Sequence, residues 1–208
     1  MQRRRGRDII RRCKGNPVIT LDDLSFRCSD ICNAGAVHRD NEYTLLLTIQ
    51  SLEGFYSIYA AHSIDGYTFD VEDRPALKPT RDKAWAEYEE RGILDARITR
   101  MEDTYYIMYD AFGRHGYCFA LAETQDFVHF KRHGLISQPD TKSGALFPQK
   151  FNGRFARLER PWNGNSLWVT YSDDLIYWGG SEVIMTPRGG FWDSSRIGAS
   201  APPYLTDA

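Results

Sequence analysis

The chain has no apolar run long enough to cross a bilayer and no apolar segment behind its Arg-rich start, so neither a membrane span nor a signal peptide is read from it. By default that makes it cytoplasmic. It also lacks a charge imbalance: 26 basic against 28 acidic side chains leave a formal charge of -2, which removes the electrostatic case for nucleic acid or a membrane as partner. The one basic cluster, Arg3, Arg4, Arg5, Arg7, Arg11 and Arg12, has no interleaved aromatics and reads as a solvated N-terminus. Cysteine is scarce. Cys13, Cys28, Cys32 and Cys118 show no zinc-type paired spacing, so buried free thiols are expected and no metal site. His38, His62, His115, His129 and His133 form no triad or ligand spacing and are expected on the surface or in turns. Helical periodicity is missing too: the best stretch, 82–91, is polar on most faces and reads as an excursion between strands.

What the sequence does contain is a repeat. Ser63-Ile64-Asp65-Gly66-Tyr67-Thr68-Phe69, Thr124-Gln125-Asp126-Phe127-Val128-His129-Phe130 and Ser172-Asp173-Asp174-Leu175-Ile176-Tyr177-Trp178 share one pattern of hydroxyl, any, Asp, any three, aromatic. Each copy follows a short β-branched and aromatic run (56–61, 117–122 and 167–171), and a further strand candidate precedes each run (43–49, 104–109 and 154–158). The hydroxyl and carboxylate oxygens suit a turn because they accept local backbone N–H bonds, and the closing aromatic returns to the core. Strand, turn, strand, hydroxyl-Asp turn, strand is the meander of a propeller blade. We therefore expect a single all-β domain over residues 1–208, of β-propeller type.

Between the repeats lie polar segments that plain connectors would not need: Asn33-Ala34-Gly35-Ala36-Val37, Gly92-Ile93-Leu94-Asp95-Ala96-Arg97-Ile98, Lys142-Ser143-Gly144-Ala145-Leu146-Phe147-Pro148-Gln149-Lys150, Glu159-Arg160-Pro161, and Trp192-Asp193 with Arg196-Ile197-Gly198. In this order they resemble the Asn-x-Gly-Ala-Val, Gly-x-Glu-Asp-Pro-Arg-Ile, Lys-Asp-x-x-Leu-Phe-Pro-x-Lys, His-Arg-Pro and Trp-Asp segments of glycoside hydrolase family 130, the β-mannoside phosphorylases and their hydrolytic relatives. The resemblance implies a five-bladed propeller with its site at the centre of one face. It also implies that Asp95 is the catalytic acid, protonating the leaving oxygen through a sugar hydroxyl while phosphate attacks from the opposite face. Lys142 and Arg160 become the candidates for holding that phosphate, since a planar guanidinium gives it two parallel donors and an ammonium a compact charge. Asn33, Ser63, Asp65, Arg97 and Asp193 become candidates for contacting the sugar. Without the resemblance, Asp95 and Arg97 read as a solvated pair on one strand face.

The sequence departs from the family at Leu94, Ala96, Ser143 and Glu159, which stand where the family has Glu, Pro, Asp and His. Glu159 bears on the reaction: a carboxylate facing a phosphate would repel it and activate water instead, making Glu159 a second catalytic candidate. Family members continue past Pro202-Pro203, so a propeller incomplete at its C-terminus, with about three to four blades present, is expected. The leading reading is inverting phosphorolysis of β-mannosidic oligosaccharides to mannose 1-phosphate, with inorganic phosphate as co-substrate and no cofactor. Inverting hydrolysis and a non-catalytic carbohydrate-binding propeller are the alternatives. Oligomeric state, linkage and acceptor sugar are not readable from the sequence.

Overall fold

The computed structural model describes residues 13–205, and the arginine cluster from Arg3 to Arg12 lies outside them. The chain runs through β1 (Asp30–Arg39), β2 (Glu42–Gln50), β3 (Tyr56–Ser63), β4 (Asp70–Leu77), β5 (Gly92–Met101), β6 (Thr104–Gly113), β7 (Gly116–Thr124), β8 (Lys131–Leu135), β9 (Thr141–Leu146), β10 (Phe155–Pro161), β11 (Leu167–Ser172) and β12 (Trp178–Met185). Besides these there is one short 3-10 turn, Leu21–Asp23, so the fold is all-β. Among the described residues no helix is long and apolar enough to cross a membrane.

Consecutive strands pair antiparallel in fours, giving the meanders β1–β4, β5–β8 and β9–β12. A parallel bridge between Tyr56 and Gly92 joins the first two into one sheet; the third is a separate four-stranded sheet, and no sheet closes on itself among the described residues. The seam demands glycine at 92: its φ is 127°, and a Cβ there would sit 2.4 Å from the Tyr56 nitrogen.

Period-two alternation decides which meanders share a core. On β6, Ile107, Tyr109 and Ala111 point into a cluster with Ile98 of the neighbouring β5 and with Leu46 and Ile58 from the first meander. Met108, between them, points the other way into a cluster with Phe119, Leu121, Leu146 and Leu175, which joins the second meander to the third. β6 is therefore buried on both faces, whereas β12 is exposed along nearly its whole length. A third cluster, Leu47, Ile49, Ala61 and Val71, is covered by Ile19, Leu24 and Phe26 from the segment before β1.

The three hydroxyl-Asp turns are the same structure three times over. In each, the hydroxyl accepts the N–H three residues on, from Gly66, Phe127 and Leu175, at 2.9 Å. One carboxylate oxygen accepts the two N–H groups that follow, from Tyr67 and Thr68, Val128 and His129, or Ile176 and Tyr177, at 2.8 to 2.9 Å. The residue after each Asp has positive φ, 74°, 63° and 68°. In the second and third turns that residue, Phe127 or Leu175, plugs a core cluster, and Phe69, Phe130 and Trp178 pack against the clusters as the repeat predicts.

One expectation gains detail and one needs correction. The stretch 82–91 is irregular, as read, but it is not merely polar surface: Glu89 is 2% exposed and accepts bonds from the Thr80 N–H, Arg132 and the Tyr109 hydroxyl. Arg132 also bonds the Lys78 carbonyl, so one buried ion pair ties the end of the first meander to the second. The cysteines are all free, but only Cys118 is buried; Cys28 and Cys32 are half-buried and Cys13 is exposed, because it precedes the packed part of the chain.

Candidate active site

Each meander opens on a strand with a bulge at the matching place. Asn33 and Ala34 oppose Leu47 alone, Asp95 and Ala96 oppose Tyr109, and Ser143 and Gly144 oppose Glu159. The first residue of each bulge is left-handed, with φ of 45° at Asn33, 58° at Asp95 and 56° at Ser143. Side chains other than glycine seldom adopt that conformation, Asn and Asp most readily, and here it re-aims the side chain out of the strand's alternation. The opening strands also lie together. A Cβ on Gly35 of β1 would come 2.6 Å from the Ala96 carbonyl of β5, and the Thr99 hydroxyl of β5 donates to the Leu146 carbonyl of β9 at 3.3 Å.

Three bulges meeting in this way gather a charged cluster around Asp95, which is 8% exposed. The Asn33 Nδ2 donates to its Oδ1 at 2.6 Å, and its own N–H donates to the Thr48 hydroxyl at 2.9 Å. Lys142 Nζ lies 3.3 Å from Asp95 Oδ2 and 3.8 Å from Asp110 Oδ2, over the ring of Tyr117 at 4.2 Å. Arg160 pairs in register with Lys142. It is 7% exposed, and its Nε has no hydrogen-bond partner among the described residues. Burial first, then the charge of Arg196, push the Arg160 guanidinium's pKa down, while Asp110 and Asp95 pull it up. The stretch 196–199 lies against this corner: Ala199 N–H donates to the Ser143 carbonyl at 3.2 Å, and a Cβ on Gly198 would stand 3.2 Å from Arg160 Nη1. Arg97 donates to the Ala96 carbonyl at 3.2 Å and acts electrostatically on Asp110.

The structure thus brings Asn33, Asp95, Arg97, Lys142 and Arg160 together and leaves other candidates outside. Ser63 and Asp65 lie at the opposite end of β3 from Tyr56, roughly 20 Å along the strand, and the Ser63 hydroxyl and Asp65 Oδ1 are engaged in their own turn. The structure therefore places them apart from the Asp95 cluster. Glu159 does not share the face of Arg160. Both its oxygens are taken, one by Arg157 at 2.6 Å and the other by the Thr170 hydroxyl at 2.8 Å, because it opposes the bulge and follows the face of Arg157 rather than that of Arg160. Asp193 is 4% exposed and accepts from Arg188 at 2.8 Å; no hydrogen bond or ion pair among the described residues links it to Asp95. One central residue, Asp110, was not anticipated from the sequence. An acidic residue inside Ile107-Met108-Tyr109-Asp110-Ala111-Phe112 is a buried carboxyl by pattern alone, and that was the available signal. Burial, and next the neighbouring Asp95, push Asp110 well above the usual carboxylate range, against the pull of Lys142 and Arg97.

Three all-β meanders thus converge on a carboxyl pair set among fixed cations. The β-1,2-mannobiose phosphorylase of Listeria innocua, solved with β-1,2-mannobiose, superposes with a TM-score of 0.83 at 27% identity, over 94% of this chain and 71% of that one. The chain belongs to glycoside hydrolase family 130, whose model, described as β-1,4-mannooligosaccharide phosphorylase, matches residues 2–208. In sequence it is 34% identical to a Listeria innocua β-1,2-mannobiose phosphorylase over 166 residues, 75% of this chain and 45% of the relative. It is 27% identical to a Ruminococcus albus β-1,4-mannooligosaccharide phosphorylase over 210 residues, 96% of this chain and 62% of that protein. The chain therefore spans about half the length of the first of these curated relatives.

Proposed function

We propose that this chain forms the catalytic part of an inverting β-mannoside phosphorylase, its three meanders being blades of one five-bladed propeller domain. The observation that carries the choice of phosphorolysis is the Arg160 corner. A buried guanidinium with an unpartnered Nε, beside Arg196 and in register with Lys142, is an anion site in search of an anion. Glu159, the residue that would have repelled phosphate and favoured water, is turned away and neutralised by Arg157. Hydrolysis thereby loses the residue that recommended it.

In this reading Asp95 donates the proton to the departing glycosidic oxygen, directly or through a sugar hydroxyl. Asn33 fixes the rotamer of Asp95 by its 2.6 Å bond to Oδ1. Arg160 and Lys142 hold phosphate in line with the anomeric carbon and offset its charge as the new C–O bond forms. Inversion follows from attack opposite the leaving group. The test is incubation of the protein with β-1,2- and β-1,4-mannobiose, with and without inorganic phosphate. Mannose 1-phosphate formed only with phosphate supports the reading. Free mannose at a rate indifferent to phosphate means hydrolysis, and retention of mannosides without any product means a binding module. Asp95→Asn is expected to lower kcat/KM by about 10²-fold or more, the usual worth of a positioned acid.

A further inference from the structure

Asp110 takes no part in the reaction as just described, yet it is the most deeply buried carboxyl beside the proposed donor. Across β5 and β6 it stands opposite Leu94, and the left-handed turn at Asp95 brings the next side chain back toward it. Lys142 Nζ spans the two, 3.3 Å from one carboxyl and 3.8 Å from the other. Asp110 is 2% exposed, and its Oδ2 has no hydrogen-bond partner among the described residues. We propose that Asp110 and Asp95 hold a single proton between them, with Asp110 as a positioning residue that acts through Asp95 to keep the donor protonated until the glycosidic bond breaks. The inference rests on the reading of Asp95 as proton donor.

The charges around the pair explain why a second carboxyl is needed. Asp110 is faced by Asp95 and Arg97 from β5, Cys118 from β7, Lys142 from β9 and Arg160 from β10. Asn33 donates to Asp95 Oδ1 at 2.6 Å, and the Lys142 ammonium stands 3.3 Å from Oδ2 and 3.8 Å from Asp110 Oδ2, so one cation faces both carboxyls. Two carboxylates side by side out of water repel strongly, so one proton stays and the pair titrates as a unit. Burial first, and then the charge of Asp95, push Asp110 upward against the pull of Lys142 and Arg97. When the glycosidic C–O bond breaks, its oxygen keeps the bonding electrons and takes the shared proton, and a phosphate oxygen bonds to the anomeric carbon. Both carboxyls are then ionised beside Lys142, and the proton carried in by hydrogen phosphate restores the pair.

Asp110→Asn keeps the size of the side chain and removes both the like charge and its share of the proton. The basic limb of the kcat/KM profile for phosphorolysis of β-mannobiose is expected to move to lower pH by about 1 unit or more. In carboxyl ¹³C spectra of the labelled, substrate-free protein, one Asp signal of the wild type should remain protonated well above the ordinary range, and that signal should vanish in Asp110→Asn. A basic limb that stays in place while kcat falls uniformly overturns the proposal. So does a wild-type spectrum in which every carboxyl ionises in the ordinary range, an observation that needs no variant to fold. The spectra need no turnover either. If no mannose 1-phosphate is formed, the functional reading fails while the shared proton is still decided.

Discussion

Glu159 shows how much a single side chain's direction matters. Its 2.6 Å ion pair with Arg157 is almost wholly buried, and Arg157 is in turn packed between the rings of Trp178 and Phe119 and bonded to the Ile136 carbonyl. Removing the charge of Glu159 strands a guanidinium out of water. Glu159→Gln is therefore expected to lower unfolding stability by about 3 kcal/mol, the cost of breaking a buried pair from one side. Turnover per folded molecule should stay the same, because neither residue meets the Asp95 cluster. Urea unfolding read beside phosphorolysis checks both halves. A large loss of turnover in a stably folded variant would return Glu159 to the reaction.

Among the elements, the hydroxyl-Asp turns give the clearest pH signature. The backbone N–H groups of Thr68 and Tyr67, with the Ser63 hydroxyl, hold the Asp65 carboxyl down at about 2 from an ordinary 3.8. Asp126 is held lower still, by His129 first, and Asp174 is lowered by the N–H groups of Tyr177 and Ile176. A depressed carboxyl stabilises the fold above its unfolded pKa, and that contribution is lost as pH falls toward the folded value. The window for Asp65 thus runs from about 4 down to about 2. Asp65→Asn should melt below the wild type near neutral pH, with the gap in Tm closing as pH falls through that window. A gap that stays constant down to about pH 2.5 would mean that the charge on Asp65 does not hold the turn.

For the molecule as a whole, the Glu89–Arg132 pair adds a charged tie between the first two meanders beside the core they share. Arg132 reaches both oxygens of Glu89, the Tyr109 hydroxyl and the Lys78 carbonyl, so β8, β6 and the end of the first meander meet at one guanidinium. Arg132→Met leaves the Glu89 charge buried without its partner and should cost about 3–5 kcal/mol in denaturant unfolding. Adding Glu89→Gln to that variant should recover part of the loss, since the uncompensated charge is then gone. If the double variant is no more stable than Arg132→Met alone, the pair's contribution is packing rather than charge.

Local chemistry was enough to read the repeat. A hydroxyl and an Asp two residues apart satisfy the next backbone N–H groups without help from the rest of the chain, so the turns at Ser63, Thr124 and Ser172, and the strands on either side of them, are written in short stretches. The ordered family segments likewise carried Asn33, Asp95, Arg97, Lys142 and Arg160 to one place without any coordinates. What the sequence alone did not determine depends on long-range register. Three bulges, each defined only against its partner strand, decide that Asp95 turns toward Lys142, that Glu159 follows Arg157, and that Asp110 comes up beside the donor. Which end of a strand carries a site is equally non-local: Ser63 and Asp65 have the right chemistry for a sugar, but β3 delivers Tyr56, not Ser63, to the end that meets Gly92. Residues next to each other in sequence face opposite ways on a strand, and a single extra residue reverses the choice, so the site's polarity was settled only when the strands paired.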